Sequence, residues 1–188
     1  MARHRGRKTP ANDNRGDNRD VEAAECHDEH VPLEISTLDF PSQFVVWALR
    51  AWVQAFKSGE AFDAVTHHGF TRFGLQASTL ALDGAMTVLA ASASRSIDIR
   101  SLNCRYLSPD EAIFLDAITA AQAEHHFMAT VALRKIMPGT AARIALPHLV
   151  DLARDLARAG MRLNSSALHN ADGASEEHAP PPARQWLH

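Results

Sequence analysis

Residues 44–56, FVVWALRAWVQAF, decide the fold class predicted for this chain. Their apolar side chains recur at three- and four-residue spacing, the period of an α-helix: Phe44, Ala48, Trp52, Ala55 and Phe56. Val45, Trp47 and Leu49 place further apolar side chains around the helix, and Arg50 is its one charge. A helix that is apolar nearly all round is a buried central helix. Its short length and the arginine in its middle argue against a membrane span.

Residues 74–94, GLQASTLALDGAMTVLAASAS, predict a second core helix, and 60–73 a shorter one before it. Leu75, Leu82, Met86, Leu89 and Ala93 form one apolar stripe, and Ala77, Ala81 and Ala85 form a ridge of small residues against which another helix can pack closely. A weak membrane segment is the alternative. The Ser, Thr and Gly content makes insertion unfavourable, so a core helix is preferred.

The stretch CRYLSPDEA, residues 104–112, predicts a helix start. Ser108 suits the N-cap, Pro109 the first helical position, and Glu111 completes a capping box. Asp110 adds negative charge where the helix dipole favours it. We expect this helix to run to Met137, with Gln122 and His125 on its core stripe bonding to each other. Residues 97–107 lack helical spacing and predict a connector or a short extended segment.

The final helical region is TAARIALPHLVDLARDLARAGMRL, residues 140–163, with Pro147 expected to kink or restart it. Its leucine stripe, from Leu149 to Leu163, is either a core seam or a homodimer seam. Together the patterns predict an all-α fold: a single compact bundle of about five helices over 37–163, flanked by disordered tails at 1–36 and 164–188.

The chain has 188 residues and a formal charge of −3, and its charges are unevenly distributed. The first 19 residues are basic, whereas residues 20–40 contain seven carboxylates and no Lys or Arg. Because the acidic block can neutralise the basic one, nucleic-acid binding is not expected there. A helix-turn-helix pattern within 127–146 is not expected to bind nucleic acid either, because a recognition helix needs several exposed polar residues and TAARIAL offers little beyond Arg143. Two cysteines and no apolar run at the N-terminus indicate a cytoplasmic protein without a membrane span.

Eleven histidines are the main indication of chemistry. The candidate metal ligands are His67, His68, His125, His126 and Cys104, for a transition metal or haem. A di-metal bundle is not expected, because the residue three before His125 is Gln122 rather than the glutamate of a Glu-x-x-His motif. Cys26, His27 and His30 are too close together for a complete site. For Cys104 the preferred interpretation is a cysteine packed on the following helix, and the alternative is a reactive thiol assisted by Arg105.

No phosphate-binding loop, nucleophile elbow, His-Glu-x-x-His or Cys-x-x-Cys motif is present in the sequence. The favoured hypothesis is therefore a small non-catalytic accessory or regulatory protein that acts by binding another protein, or a second copy of itself. The alternative is a metal- or haem-binding sensor or enzyme that uses the clustered histidines and Cys104. Arg184, Gln185, Trp186 and Leu187 are a candidate docking motif in the C-terminal tail.

Overall fold

The computed structural model describes residues 33–164, and this part of the chain is an all-α bundle, as predicted. Six α-helices follow one another within it: α1 (Phe40–Ser58), α2 (Phe62–Arg72), α3 (Gln76–Ser92), α4 (Pro109–Gln122), α5 (His126–Leu133) and α6 (Gly139–Arg158). A single 3-10 turn, Ile35–Thr37, precedes them. Of the tails predicted at 1–36 and 164–188, residues 1–32 and 165–188 lie outside the described residues.

Helix α1 is buried along most of its length, as its sequence predicts, but it is not the central helix, because α3, α4 and α6 make more extensive contacts with other helices. The Asp39 side chain caps it by accepting a hydrogen bond of 2.8 Å from the Ser42 amide, and Pro41 occupies the first turn. It ends at Gly59, whose φ of 73° is the left-handed conformation that glycine adopts at low cost. Leu49 is fully buried and Trp52 nearly so, but Phe56, predicted to be in the core, is 67% exposed. Phe56 lies in the last turn of α1, at a surface considered below.

Helices α3 and α6 make the most extensive helix–helix contact of the bundle. Ala81 and Ala85 are buried as predicted, whereas Ala77 is exposed. At Gly84 of α3 the His148 ring of α6 lies so close that an added Cβ would be 2.7 Å from it. Helix α6 runs through Pro147 without a restart, and Leu149, Leu152 and Leu156 are buried within the same chain, which makes their stripe a core seam.

The long helix expected from Pro109 to Met137 is wrong, because the chain breaks after Gln122. Glu124 adopts a φ of 60°, and His125 precedes α5 as its N-cap residue. Gln122 does not bond to His125. Its side-chain amide donates to the Met161 carbonyl at 2.8 Å, and its oxygen accepts from the Leu163 amide at 2.9 Å. This break raises the helix count above the predicted five.

Both ends of the described chain pack onto the bundle. Residues 33–36, which we expected in the disordered arm, bond to the connector before α4: the Ile35 amide donates to the Arg105 carbonyl, and the Leu107 amide donates to the Leu33 carbonyl, each at 2.9 Å. At the other end the Asn164 amide donates to Asp39 Oδ2 at 2.8 Å, beside the start of α1. Over residues 33–164, no helix combines the length and the apolar character that crossing a bilayer requires.

Candidate functional site

The capping box that starts α4 is present, and it also holds a buried ion pair. Ser108 Oγ accepts from the Glu111 amide, and Glu111 Oε2 accepts from the Ser108 amide at 2.9 Å. The same carboxylate pairs with Arg50 of α1, with Nε to Oε1 at 2.7 Å and Nη2 to Oε2 at 2.8 Å. Both side chains are almost completely buried, at 2% and 0% exposure. An arginine in the middle of an apolar helix therefore has its counter-charge 61 residues away in the sequence.

The remaining N–H groups of Arg50 donate hydrogen bonds to the connector that precedes α4. Nη1 donates to the carbonyls of Ser101 and Cys104, and Nη2 donates to that of Tyr106 at 2.7 Å. A guanidinium has five N–H groups, and all five are now used. Because all five donors are used within the protein, this charge pair anchors the connector to the helices.

A second carboxylate of the same helix turn fixes the first half of the connector. Asp110 accepts two hydrogen bonds from Arg95, at 2.6 and 2.7 Å, and one from the Asp98 amide at 2.8 Å. Burial acts to raise the pKa of Asp110, but the hydrogen bonds from Arg95 and from Asp98, with the charge of Arg95, outweigh it, so the pKa lies below its usual value. The carboxylate is therefore held ionised as a structural acceptor.

The four histidines predicted as metal ligands are on the surface of the described structure. His67 and His68 are exposed on α2 with their rings 5.9 Å apart, and His125 and His126 are exposed where α5 begins. Within residues 33–164, no group of three or more His, Cys, Asp or Glu side chains is placed to hold a metal ion. A set of three or more protein ligands for a metal ion is therefore not assembled within these residues, and His4, His27, His30, His169, His178 and His188 lie outside the described residues.

Cys104 is half-buried in the connector. Its Sγ lies 3.7 Å from the Tyr106 carbonyl, and its own carbonyl accepts from Arg50. Arg105, the cation expected to assist a reactive thiol, is exposed. The contacts of Cys104 are thus with Tyr106 and Arg50, and its packing on the first turn of α4 stays a prediction.

A groove with a volume of about 520 Å³ lies between α1, α2 and α3. Trp52 and Phe56 form one wall, stacked with ring centroids 5.1 Å apart and planes inclined by 12°. Leu80 of α3, 76% exposed, stands on the other side. Its lining residues are Trp52, Ala55, Phe56, Glu60, Ala61, Phe62, Asp63, Thr79, Leu80 and Asp83. We call this surface the acidic groove.

Carboxylates surround the apolar walls of the acidic groove. Glu60 and Asp63 are exposed at the turn into α2, and Asp83 accepts a hydrogen bond from the Trp52 indole at 2.7 Å. None of the described residues that line it is a Lys or Arg. The indole bond fixes the orientation of Trp52 and so of the wall that it forms with Phe56. The groove can therefore bury an apolar side chain and attract a cation beside it.

A shallower depression between α5 and α6 has the opposite charge. Arg134 and Arg143 line it together with Thr130, Gly139 and Thr140, and its volume is about 440 Å³. We call it the basic depression. The two surfaces differ in sign, so a charged ligand attracted to one is repelled by the other.

Pattern analysis missed the acidic groove, although one signal pointed to it. Leu80 lies off the apolar stripe predicted for α3, and an aliphatic side chain off the buried stripe of a helix is a candidate surface contact. Phe56 carried no such signal, because its spacing matches the core positions of α1. Phe56 lies three residues before Gly59, at the end of α1.

No protein family, no curated protein and no solved structure was found to match this chain.

Proposed function

We propose that this chain is a non-catalytic accessory or regulatory protein that binds a short segment of a protein partner in the acidic groove. The observation that carries the proposal is the exposure of Phe56 and Leu80, at 67% and 76%, on facing sides of a concave surface. Single exposed apolar residues are ordinary, whereas an aromatic and an aliphatic side chain across one concavity are typical of a contact site.

The charge around the groove narrows the class of partner. Three carboxylates, Glu60, Asp63 and Asp83, line it without a compensating cation among the described lining residues. An acidic segment would be repelled there, and a purely basic one would leave the apolar walls uncovered. The fitting partner is a segment with at least one Arg or Lys next to an aromatic or large aliphatic side chain.

The size of the groove favours a few side chains over a whole protein surface. A volume of about 520 Å³ is in the range of pockets that hold one small ligand. Two or three side chains of a peptide fill such a space, and contacts of this size are typical of weak, exchangeable recognition. Two cysteines in 188 residues support a reducing compartment such as the cytoplasm for this role.

Fluorescence anisotropy with labelled ten-residue peptides tests this proposal. The first peptide carries two Arg and a Trp-Leu pair, the second has the pair replaced by Ser-Ser, and the third has the Arg replaced by Glu. We expect the full chain to bind the first peptide at least about tenfold more tightly than either of the others, since loss of a buried aromatic contact costs more than 1.4 kcal/mol. Raising the salt concentration should weaken binding of the first peptide.

Leu80→Glu in the groove and Ile144→Glu on α6 are a matched pair of variants, since both positions are exposed leucine-sized side chains on helices. Leu80→Glu should abolish binding of the first peptide, and Ile144→Glu should leave it unchanged. Equal binding of all three peptides, or equal loss in both variants, would refute the acidic groove as the binding surface.

A further inference from the structure

We propose that residues Arg184–Leu187 of the same chain occupy the acidic groove and compete there with the partner. This inference rests on the proposed function, because it assigns an internal competitor to the same surface. The segment lies outside the described residues; its sequence, and the point at which the described chain ends, match it to the groove.

The composition of the undescribed parts of the chain selects this segment. Trp186 is the one tryptophan in 1–32 and 165–188, and Leu187 adjoins it. Arg184, two residues before Trp186, is the only Arg or Lys in 165–188. The basic stretch of the first 19 residues offers cations, but its one large apolar side chain is Met1. Arg184–Leu187 is thus the sequence that combines a cation with an aromatic and an aliphatic residue.

Charge distinguishes between the two concave surfaces that the segment could contact. Glu60, Asp63 and Asp83 would attract Arg184, whereas Arg134 and Arg143 of the basic depression would repel it. Trp186 and Leu187 complement the walls formed by Phe56 and Leu80. Both the apolar and the charged parts of the segment therefore match the acidic groove.

The distance to be covered fits the length of intervening chain. Asn164 is bonded to Asp39 at the start of α1, and Phe56 lies 17 residues further along that helix, or about 25 Å at 1.5 Å per residue. Arg184 follows Asn164 by 20 residues. A chain of that length reaches at most about 66–72 Å when extended, so it is long enough to cover the span from Asn164 to the groove.

Such a match of length and span gives the segment an effective concentration on the order of 1 mM at the groove. If the free segment binds with a Kd of about 0.1 mM, it occupies the groove about nine-tenths of the time in the intact chain, and a competing partner binds about tenfold more weakly. A partner that displaces the segment would then release it.

Fluorine NMR of the full chain labelled with 5-fluorotryptophan tests the contact, because Trp47, Trp52 and Trp186 are its three tryptophans. We expect the Trp186 resonance to be shifted from that of free fluorotryptophan and to return there in Leu80→Glu. Glu60→Lys, which reverses a charge at an exposed turn residue, should act in the same direction, and Ile144→Glu should have no effect. A Trp186 resonance at the free position in the unaltered chain would overturn the proposal.

Two further measurements separate this inference from its alternatives. The Trp186 shift should not change between 20 µM and 500 µM protein, about a 25-fold range; a shift that grows with concentration means that a second copy supplies the segment, and the proposal fails. In the peptide assay, Trp186→Ala should tighten binding of the Arg- and Trp-containing peptide about tenfold, whereas Leu168→Ala should not. Equal binding by Trp186→Ala and the unaltered chain overturns the internal competitor alone, while no binding by either overturns the proposed function.

Discussion

Arg50 is the residue on which the connector before α4 depends. Its five N–H groups serve the Glu111 carboxylate and the carbonyls of Ser101, Cys104 and Tyr106. The ion pair of Arg50 with Glu111 links α1 to α4. The three carbonyls that Arg50 also binds belong to the connector, which contains no helix. A single side chain thereby replaces the backbone ladder that this segment lacks.

We expect Arg50→Met to destabilise the fold by about 3–5 kcal/mol, because it leaves the buried Glu111 carboxylate without its counter-charge. Changing Glu111 to Met as well should not restore stability, since the three connector carbonyls would still lack their donor. Urea unfolding followed by circular dichroism measures both variants. Arg105→Met, at an exposed arginine of the same connector, is the control and should stay within about 0.5 kcal/mol of the unaltered chain. A loss below about 1 kcal/mol in Arg50→Met would contradict this account.

The sequence predicts that Glu111 belongs to the cap of α4, but not that Arg50 is its partner. Ser108, Pro109 and Glu111 give a local helix-start signal, and the structure confirms the capping box. Arg50, a lone charge in an apolar helix, indicates that a partner must exist, because an unpaired buried charge is too costly. Which carboxylate serves it depends on how α1 and α4 pack, and sequence periodicity carries no information on such long-range pairing.

At the level of helices, the small-residue ridge of α3 was predicted at almost the right place. Ala81 and Ala85 are buried, and Gly84, which the predicted ridge did not include, lies against the His148 ring of α6. Which residues of α3 meet α6 depends on the crossing angle of the two helices, and the sequence of one helix does not specify that angle. The break after Gln122 was missed for a similar reason: the segment at 161–163 that binds its side chain is about 40 residues away.

The effect of Gly84→Ala on the free energy of unfolding should depend on whether His148 is present. The added Cβ would lie 2.7 Å from the ring, so the imidazole must move, and we expect a net loss of about 1–2 kcal/mol. In a His148→Ala background the same change meets no ring, and the higher helix propensity of alanine should stabilise the protein by up to about 1 kcal/mol. Unfolding free energies of the two single variants and the double variant give the coupling. The same effect of Gly84→Ala in both backgrounds would show that the helices do not depend on this contact.

For the whole molecule, composition predicted the class of fold better than it predicted the site. Apolar periodicity placed the core, because each amphipathic helix must bury its apolar face somewhere in a single bundle. The histidine excess indicated a metal site, yet the described histidines singled out as ligands lie on exposed surfaces of α2 and α5. Convergence of distant side chains on one point is a property of the topology, and clustering along the sequence does not require it.

Acid should destabilise the whole bundle partly through Asp110, which ties the connector to α4. Its pKa in the folded protein lies below the value of about 3.9 expected in the unfolded chain. A depressed pKa means that the carboxylate stabilises the fold above the unfolded pKa, and that this contribution is lost as the pH falls through the folded pKa. Asp110→Asn should therefore lower the urea midpoint most at pH 6–7, and its difference from the unaltered chain should shrink as the pH falls from about 5 towards 2.

Asp151→Asn is the matched control for this acid effect, because Asp151 pairs with Arg154 at 2.8 Å but both side chains are more than half exposed. A pair that remains in water contributes little, so Asp151→Asn should shift the midpoint only slightly at any pH. If the two variants show the same dependence on pH, general charge repulsion governs acid unfolding and Asp110 has no special part in it. If Asp110→Asn alone loses its difference from the unaltered chain at low pH, the hydrogen bonds of Asp110 to Arg95 and Asp98 limit the stability of the bundle in acid.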